Sequence, residues 1–120
     1  MRKSYIYLGI YPNNEGTVKI GKTEQRLSQR RKDIEKCSKQ KFEIKAYVQI
    51  ENITQAQILL LESLIRLQMA NEFNNGKIQG LDHIQTTYST KVQEKFVEYM
   101  IKNLKSQYIK NKTYSIIVKA

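Results

Sequence analysis

The stretch YIYLGIYPNNEGTVKIGKT, residues 5–23, decides how the chain begins to fold. In its first seven residues, tyrosine or glycine alternates with an aliphatic residue, which is the two-residue period of a strand with two different faces. Residues 12–16, PNNEG, combine the residue types of tight turns, and residues 17–21, TVKIG, are strand-like again. The stretch therefore predicts a β-hairpin with Tyr5, Tyr7 and Tyr11 on one face.

The residues after the hairpin predict alternating helices and strands. Thr23 is a candidate N-cap for a helix over residues 24–37. Residues 42–50, FEIKAYVQI, alternate as a third strand. Thr54 and Gln57 have the spacing of a capping box for an apolar helix, which we expect to be largely buried.

The second half of the chain is less regular. Residues 71–88 predict a polar loop, and Thr90 with Gln93 is a second capping box. It begins a C-terminal helix over about residues 90–110, and residues 113–120 predict a short final strand or tail. Because there is no repeat, linker or domain boundary, the sequence predicts one α+β domain over residues 1–120.

Composition narrows the functional class. The chain has 120 residues, one cysteine and one histidine, so an internal disulfide and a Cys/His metal cluster are excluded. No apolar run approaches the 18 or so residues of a membrane span, and the N-terminus does not resemble a signal peptide. These features predict a cytoplasmic protein that does not enter a membrane.

The charge is large and unevenly distributed. The formal net charge is +10, and residues 19–45 hold ten basic and four acidic side chains, a net charge of +6. A basic block of this kind favours binding to a polyanion, nucleic acid before membrane. The alternative is a lysine-rich solvated surface that keeps a small protein in solution.

The order of hairpin, basic helix, strand, apolar helix with one carboxylate and asparagine loop resembles the GIY-YIG nuclease family. The second motif, KIGKT at residues 19–23, is similar to the phage-type branch of that family, in which it reads Lys-Ile-Gly. The resemblance covers about residues 4–76. It implies a small three-stranded antiparallel sheet flanked by helices, here with an extra C-terminal helix. It also implies an endonuclease that hydrolyses phosphodiester bonds in DNA with Mg²⁺ or Mn²⁺.

The resemblance implies that Tyr7 is the general base. Eleven residues separate Tyr7 from Lys19, which fits the family spacing, whereas only seven separate the literal GIY tyrosine, Tyr11, from Lys19. On this interpretation the letters GIY at residues 9–11 are a coincidence at the end of the strand. The three tyrosines share a face, so the register among Tyr5, Tyr7 and Tyr11 stays open, and all three are also ordinary packing residues of a sheet.

The resemblance assigns Lys19 and Arg30 to charge stabilisation. A lysine ammonium near a tyrosine favours its ionised form. Arg30 lies three residues after Leu27 and four before Ile34, which places it on the inward side of the helix, where a scissile phosphate would attract it. Arg31 flanks the same side and is the alternative.

Other basic residues are expected to contact the nucleic acid away from the reacting phosphate. Lys22 and Arg26 are assigned to phosphates further along the DNA, together with Arg31. The alternative is a basic helix that is simply solvated.

Glu62 interrupts an otherwise apolar helix, and the resemblance makes it the metal ligand, since Mg²⁺ is often held by a single carboxylate with phosphate and water. The alternative is a surface ion pair with Arg66, four residues later. The asparagine of the family falls on Asn74, with Asn75 beside it, although both are also turn residues.

The remaining reactive side chains have no role on this interpretation. His83 falls in the predicted loop and is expected to be structural, and Cys37 has no partner that would make it a nucleophile. Two other functional classes stay open: a module that binds nucleic acid without cutting it, and an adaptor whose basic face meets an acidic partner. We expect double-stranded DNA as the partner, with a homodimer or partner protein supplying site specificity.

Overall fold

A five-stranded antiparallel sheet forms the centre of the protein, and helices pack on both of its faces. The computed structural model describes residues 2–73, 83–109 and 111–119. The strands are β1 (Lys3–Tyr11), β2 (Asn14–Thr23), β3 (Glu43–Glu51), β4 (His83–Gln85) and β5 (Tyr114–Val118). The helices are α1 (Leu27–Ser38), α2 (Gln55–Phe73) and α3 (Thr90–Leu104). The strand order is β4-β2-β1-β3-β5.

The α+β class predicted from the sequence is confirmed, but the prediction of three strands is wrong in number. The final strand, β5, pairs with β3 and adds to one edge of the sheet. On the other edge, β4 pairs with β2 inside a segment that the sequence predicts to be a loop. A strand of three residues is too short to show a two-residue period, so no pattern in the sequence reveals β4.

The alternation of β1 divides the interior into two cores. Ile6 and Leu8 point into the larger core, which α2 and α3 cover. Tyr7 and Tyr11 point to the other face and pack with Phe42 under α1. One face of the hairpin therefore builds the main core, and the other presents aromatic side chains towards the basic helix.

Two of the three predicted helix starts are displaced. Thr54 and Gln57 form the capping box as predicted, because each side chain accepts a hydrogen bond from the other's backbone N–H at 3.1 Å. Thr23 does not cap α1, which begins at Leu27; its hydroxyl accepts from the Gln25 N–H at 3.0 Å and forms a local turn instead.

The start of α3 is displaced by one residue. Thr90 is its first residue, and Ser89 is the N-cap, whose hydroxyl accepts from the Val92 N–H at 3.2 Å. The predicted partner of Thr90, Gln93, instead accepts a hydrogen bond from the Tyr88 hydroxyl. Adjacent hydroxyl residues both fit the cap position, and the backbone geometry selects the first.

The expectation that α2 is largely buried is wrong for one side of the helix. Leu59, Leu60 and Leu67 are 52%, 40% and 49% exposed. No helix in the described part of the chain is long and apolar enough to cross a membrane. A cytoplasmic location stays a prediction.

Gly9 lies where an aromatic ring of the smaller core contacts the backbone of β1. A Cβ atom at Gly9 would stand 2.1 Å from Cζ of Phe42, far inside van der Waals contact. Gly9 is not in the left-handed region, so the reason for glycine here is space rather than backbone conformation. The ring of Phe42 is 1% exposed and packs against Tyr7 and Tyr11.

We predict that Gly9→Ala lowers the free energy of unfolding by about 1–3 kcal/mol, because the added methyl group overpacks a filled core. Gly16→Ala is the control, since a Cβ there meets nothing within 4 Å. Urea denaturation of both variants measures the difference. Equal stability of the two variants would contradict the packing of Phe42 on Gly9.

Candidate functional site

The Tyr7 side chain extends from β1 towards α1 and forms a hydrogen bond with that basic helix. Its hydroxyl accepts a hydrogen bond from Nε of Arg30 at 3.2 Å, and its side chain is completely buried. Arg30 therefore lies on the side of α1 that faces the sheet. The roles of Arg30 in charge stabilisation and of Tyr7 as general base stay predictions.

Gly21 makes room for the Tyr7 hydroxyl. The two residues are opposite each other in the β1–β2 ladder, and a Cβ at Gly21 would stand 2.4 Å from the hydroxyl oxygen. Gly21 is not in the left-handed region. The reason for glycine here is therefore the space that it leaves for a neighbouring side chain.

A shallow depression opens beside Tyr7, between the hairpin and α1. Lys19 is opposite Gly9 in the ladder and so lies on the same face of the sheet as Tyr7, with 8% of its surface exposed. The depression has a volume of about 320 Å³, and its polar lining comprises Tyr11, Lys19, Arg30, Asp33, Ser38 and His83. The depression is thus lined by two cations, Lys19 and Arg30, and by one carboxylate, Asp33. It also contains two side chains able to transfer protons, Tyr11 and His83.

His83 is the functional candidate that the sequence does not reveal. It pairs with Lys19 across β2 and β4, and its Nε2 lies 3.1 Å from the Tyr11 hydroxyl. The two rings are also stacked, with centroids 5.7 Å apart and planes at 30°. The expectation that His83 is only a loop residue is wrong in its placement, because the unpredicted strand β4 carries it into the depression.

Tyr11 lines the depression directly and is 6% exposed. This agrees with the shared strand face that the sequence predicts for the three tyrosines. Tyr7 lies behind Arg30 and is 0% exposed. Both tyrosines thus border the site, Tyr11 at its surface and Tyr7 underneath.

Glu62 pairs with Arg66; the Glu62 side chain is buried and the Arg66 side chain is half-buried. Oε1 of Glu62 accepts from Arg66 at 3.1 Å, with side chains 8% and 15% exposed. The ion pair between Glu62 and Arg66, which the sequence offers as the alternative to a metal ligand, is therefore formed, but it does not lie on the exposed surface. The helix α2 that carries it packs on the sheet face of Ile6 and Leu8, opposite the face of Tyr7.

The predicted metal ligand, Glu62, has no cluster of other possible ligands beside it among the described residues. Among residues 2–73, 83–109 and 111–119, no group of three or more His, Cys, Asp or Glu side chains could hold a metal ion. Glu62 is engaged by Arg66, so a cation would have to compete with the guanidinium. The predicted Asn74 lies outside the described residues.

The three residues predicted to bind nucleic acid do not lie together. Lys22 is opposite Ile6 in the ladder and therefore faces the other side of the sheet from Tyr7. Arg26 is the exposed N-cap residue of α1. Arg31 is paired at 2.8 Å with Glu35, whose second oxygen accepts from the Phe42 N–H at 2.9 Å. Of the three, Arg26 extends the basic edge of α1 most directly.

Comparison with known families identifies the family to which the chain belongs. A family model for the T5orf172 domain matches residues 4–105, which include β1 to β4 and α1 to α3. The chain belongs to the T5orf172 family. No curated protein and no solved structure matches it significantly.

The T5orf172 match corrects the resemblance to GIY-YIG nucleases, which is wrong as a family assignment. That resemblance depended on the order of elements and on motif letters over about residues 4–76, whereas the T5orf172 model matches residues 4–105. The T5orf172 family indicates a phage-type, nuclease-related or DNA-binding module that interacts with nucleic acid. It supplies no catalytic residue, so the roles of the side chains rest on the site itself.

We predict that Glu62→Gln lowers the free energy of unfolding by about 3 kcal/mol, because it breaks a buried ion pair from one side. Glu62→Leu with Arg66→Met should recover most of that loss, since apolar side chains can replace a buried pair. Urea denaturation measures both variants.

Glu43→Gln is the matched control for this pair. Glu43 pairs with Lys45 at 3.0 Å, but its side chain is 53% exposed, so the loss should stay below about 1 kcal/mol. If Glu62→Gln costs no more than Glu43→Gln, the burial of the Glu62–Arg66 pair has no energetic consequence.

Proposed function

We propose that the protein is an endonuclease that hydrolyses phosphodiester bonds in double-stranded DNA at the depression beside Tyr7. The observation that supports this most directly is the meeting of Lys19 and Arg30 with Tyr7. Arg30 donates to the Tyr7 hydroxyl at 3.2 Å, and Lys19 lies on the same sheet face. In hydrolysis of a phosphate diester, the two cations can stabilise charge on the phosphoryl oxygens and an ionised phenol can accept a proton from water.

Electrostatics favours a phosphate at this position. Arg30 can offer its guanidinium edge to two phosphate oxygens, and Lys19 can act as a second point charge. Among the described residues, Asp33 is the one carboxylate in the polar lining, so positive charge dominates locally. The net charge of +10 adds long-range attraction for DNA.

Tyr7 serves as the general base in this proposal. It takes a proton from the attacking water while Arg30 and Lys19 stabilise the negative charge that develops on the phosphoryl oxygens. Because Tyr7 is completely buried beneath Arg30, the guanidinium must shift towards the phosphate before water reaches the hydroxyl. Binding of the substrate thus uncovers the base.

Metal dependence stays a prediction from the sequence. Glu62 is the carboxylate that would hold Mg²⁺ together with phosphate and water, and in the structure it is paired with Arg66. The roles proposed for Tyr7, Lys19 and Arg30 do not depend on a metal. Nicking of supercoiled plasmid in Mg²⁺, in Mn²⁺ and in excess chelator tests both the activity and its metal requirement.

A second candidate function is a module that binds DNA without cutting it. The complete burial of Tyr7 favours this alternative, because a base that water never reaches cannot act. DNA affinity that falls steeply with salt, without any nicking, would select this function. In either case a homodimer or a partner protein is proposed to supply site specificity.

We predict that Arg30→Ala slows plasmid cleavage by on the order of 10²-fold, as expected on removing a group that stabilises transition-state charge. Arg26→Ala is the matched control on the same helix, since Arg26 is exposed at its N-terminus. It should weaken binding and lower the salt slope by about one unit, with little change in the rate at saturating DNA. Equal losses of cleavage rate in the two variants would show that α1 only binds phosphates and does not take part in the reaction.

We predict that Tyr7→Phe stops cleavage while leaving DNA affinity within a few-fold. The substitution keeps the ring on Phe42 and removes only the hydroxyl, so the fold should survive. Tyr5→Phe is the control, because Tyr5 lies on the same strand face and contacts Tyr47 instead. Single-turnover nicking measures the rates. Full activity of the Tyr7→Phe variant would show that Tyr7 is not the general base.

A further inference from the structure

The edge strand β4 brings a histidine into the site. His83 is opposite Lys19 in the ladder, so both side chains lie on the same face of the sheet. His83 and Tyr11 line the same depression as Lys19 and Arg30. A mechanism built from Tyr7, Lys19 and Arg30 alone does not use this second pair.

The contact between Tyr11 and His83 is suited to proton transfer. The hydroxyl oxygen and Nε2 are 3.1 Å apart, which is hydrogen-bond distance, and the stacked rings fix their mutual orientation. Tyr11 is 6% exposed, and both Tyr11 and His83 line the depression. Histidine is the side chain whose ordinary pKa, about 6.5, allows it to give up a proton near neutral pH.

Hydrolysis of a phosphodiester needs a proton donor as well as a base. The bond from phosphorus to the leaving oxygen breaks more easily when that oxygen is protonated as it departs. Tyr7 is proposed to accept a proton, and Lys19 and Arg30 are proposed to stabilise charge. The donor is therefore still to be assigned among the groups that line the depression.

We propose that Tyr11 and His83 are the proton donor of the site, with Tyr11 transferring its hydroxyl proton to the leaving oxygen and His83 replacing it. This inference rests on the proposed endonuclease function. It gives the two tyrosines of the hairpin different roles, with Tyr7 on the side of the attacking water and Tyr11 on the side of the leaving group.

The proton balance closes without another reactant. The attacking water forms the new P–O bond and gives one proton to the Tyr7 phenolate, which later releases it to solvent. The leaving oxygen takes the hydroxyl proton of Tyr11 as its bond to phosphorus breaks. The imidazolium Nε2–H of His83 then passes to the Tyr11 oxygen, which leaves a neutral imidazole that is reprotonated from solvent.

Protonation of His83 sets the pH range of this step. The titratable and charged groups facing it across the depression are Tyr11 from β1, Lys19 from β2, and Arg30, Asp33 and Cys37 from α1. The donor is charged and active at low pH and becomes neutral as pH rises through the histidine range. The contribution of the pair is thus lost with rising pH.

The test compares ordinary duplex DNA with a duplex that carries bridging sulfur in place of the leaving oxygen. Product end groups on ordinary DNA identify which oxygen leaves. A thiolate departs without protonation, so the sulfur substrate does not need the donor. We expect Tyr11→Phe and His83→Gln each to slow cleavage of ordinary DNA by on the order of 10²-fold, the usual contribution of general acid catalysis. Both variants should cut the sulfur duplex at close to the wild-type rate.

The pH profile adds a readout that a structural role would not change. In the wild type, the ratio of sulfur to oxygen cleavage rates should rise with pH as the imidazolium loses its proton. In His83→Gln the ratio should be high and independent of pH. Cleavage of the sulfur duplex also shows that the variant is folded, so a loss on ordinary DNA cannot be attributed to unfolding.

Separate controls distinguish the failure of this inference from the failure of the proposed function. Tyr7→Phe should not be rescued by sulfur, because it lacks the base, and Tyr5→Phe should behave as wild type on both substrates. If Arg30→Ala is inactive but His83→Gln cuts ordinary DNA at the wild-type rate, the donor assignment is overturned and the endonuclease stands. Equal slowing of His83→Gln on both duplexes also overturns it. A wild-type protein that cuts neither duplex overturns both.

Discussion

The hairpin can present aromatic side chains to the basic helix only because two glycines leave space for them. The Phe42 ring lies against Gly9, and the Tyr7 hydroxyl lies against Gly21. With any side chain at either position, the ring above it would have to move, since protein interiors have almost no spare volume. The distance between β1 and α1, and hence the contact of Arg30 with Tyr7, depends on these two small residues.

Much of the fold follows from local sequence signals. The hairpin and β3 show the two-residue period, and the capping box of Thr54 and Gln57 forms as its spacing predicts. The sequence does not reveal β4, because three residues carry no period and its partners lie more than sixty positions earlier. Its consequence, the contact of His83 with Tyr11, joins residues 72 positions apart and is a product of tertiary structure alone.

The candidate site was predictable in part. Helical spacing places Arg30 towards the sheet and aligns Glu62 with Arg66, because both depend on neighbours three or four residues away. It cannot show that Glu62 is buried and Arg66 half-buried, or that Lys22 lies on the opposite sheet face from Lys19; these follow from how α2 packs and from strand register. The family was mistaken for a related reason: the order of a few elements and some motif letters are a weak signal, whereas the family model matches residues 4–105 as a whole.

The exposed leucines of α2 and the net charge of the chain should affect the solubility of this protein in opposite directions. At low ionic strength, a charge of +10 keeps molecules apart, although Leu59, Leu60 and Leu67 are open to solvent. Added salt shortens the range of that repulsion to about 8 Å at physiological strength and leaves apolar attraction unweakened. Concentrated salt, the usual means of keeping a basic protein from sticking to nucleic acid during purification, should therefore bring these helices into contact and lower its solubility.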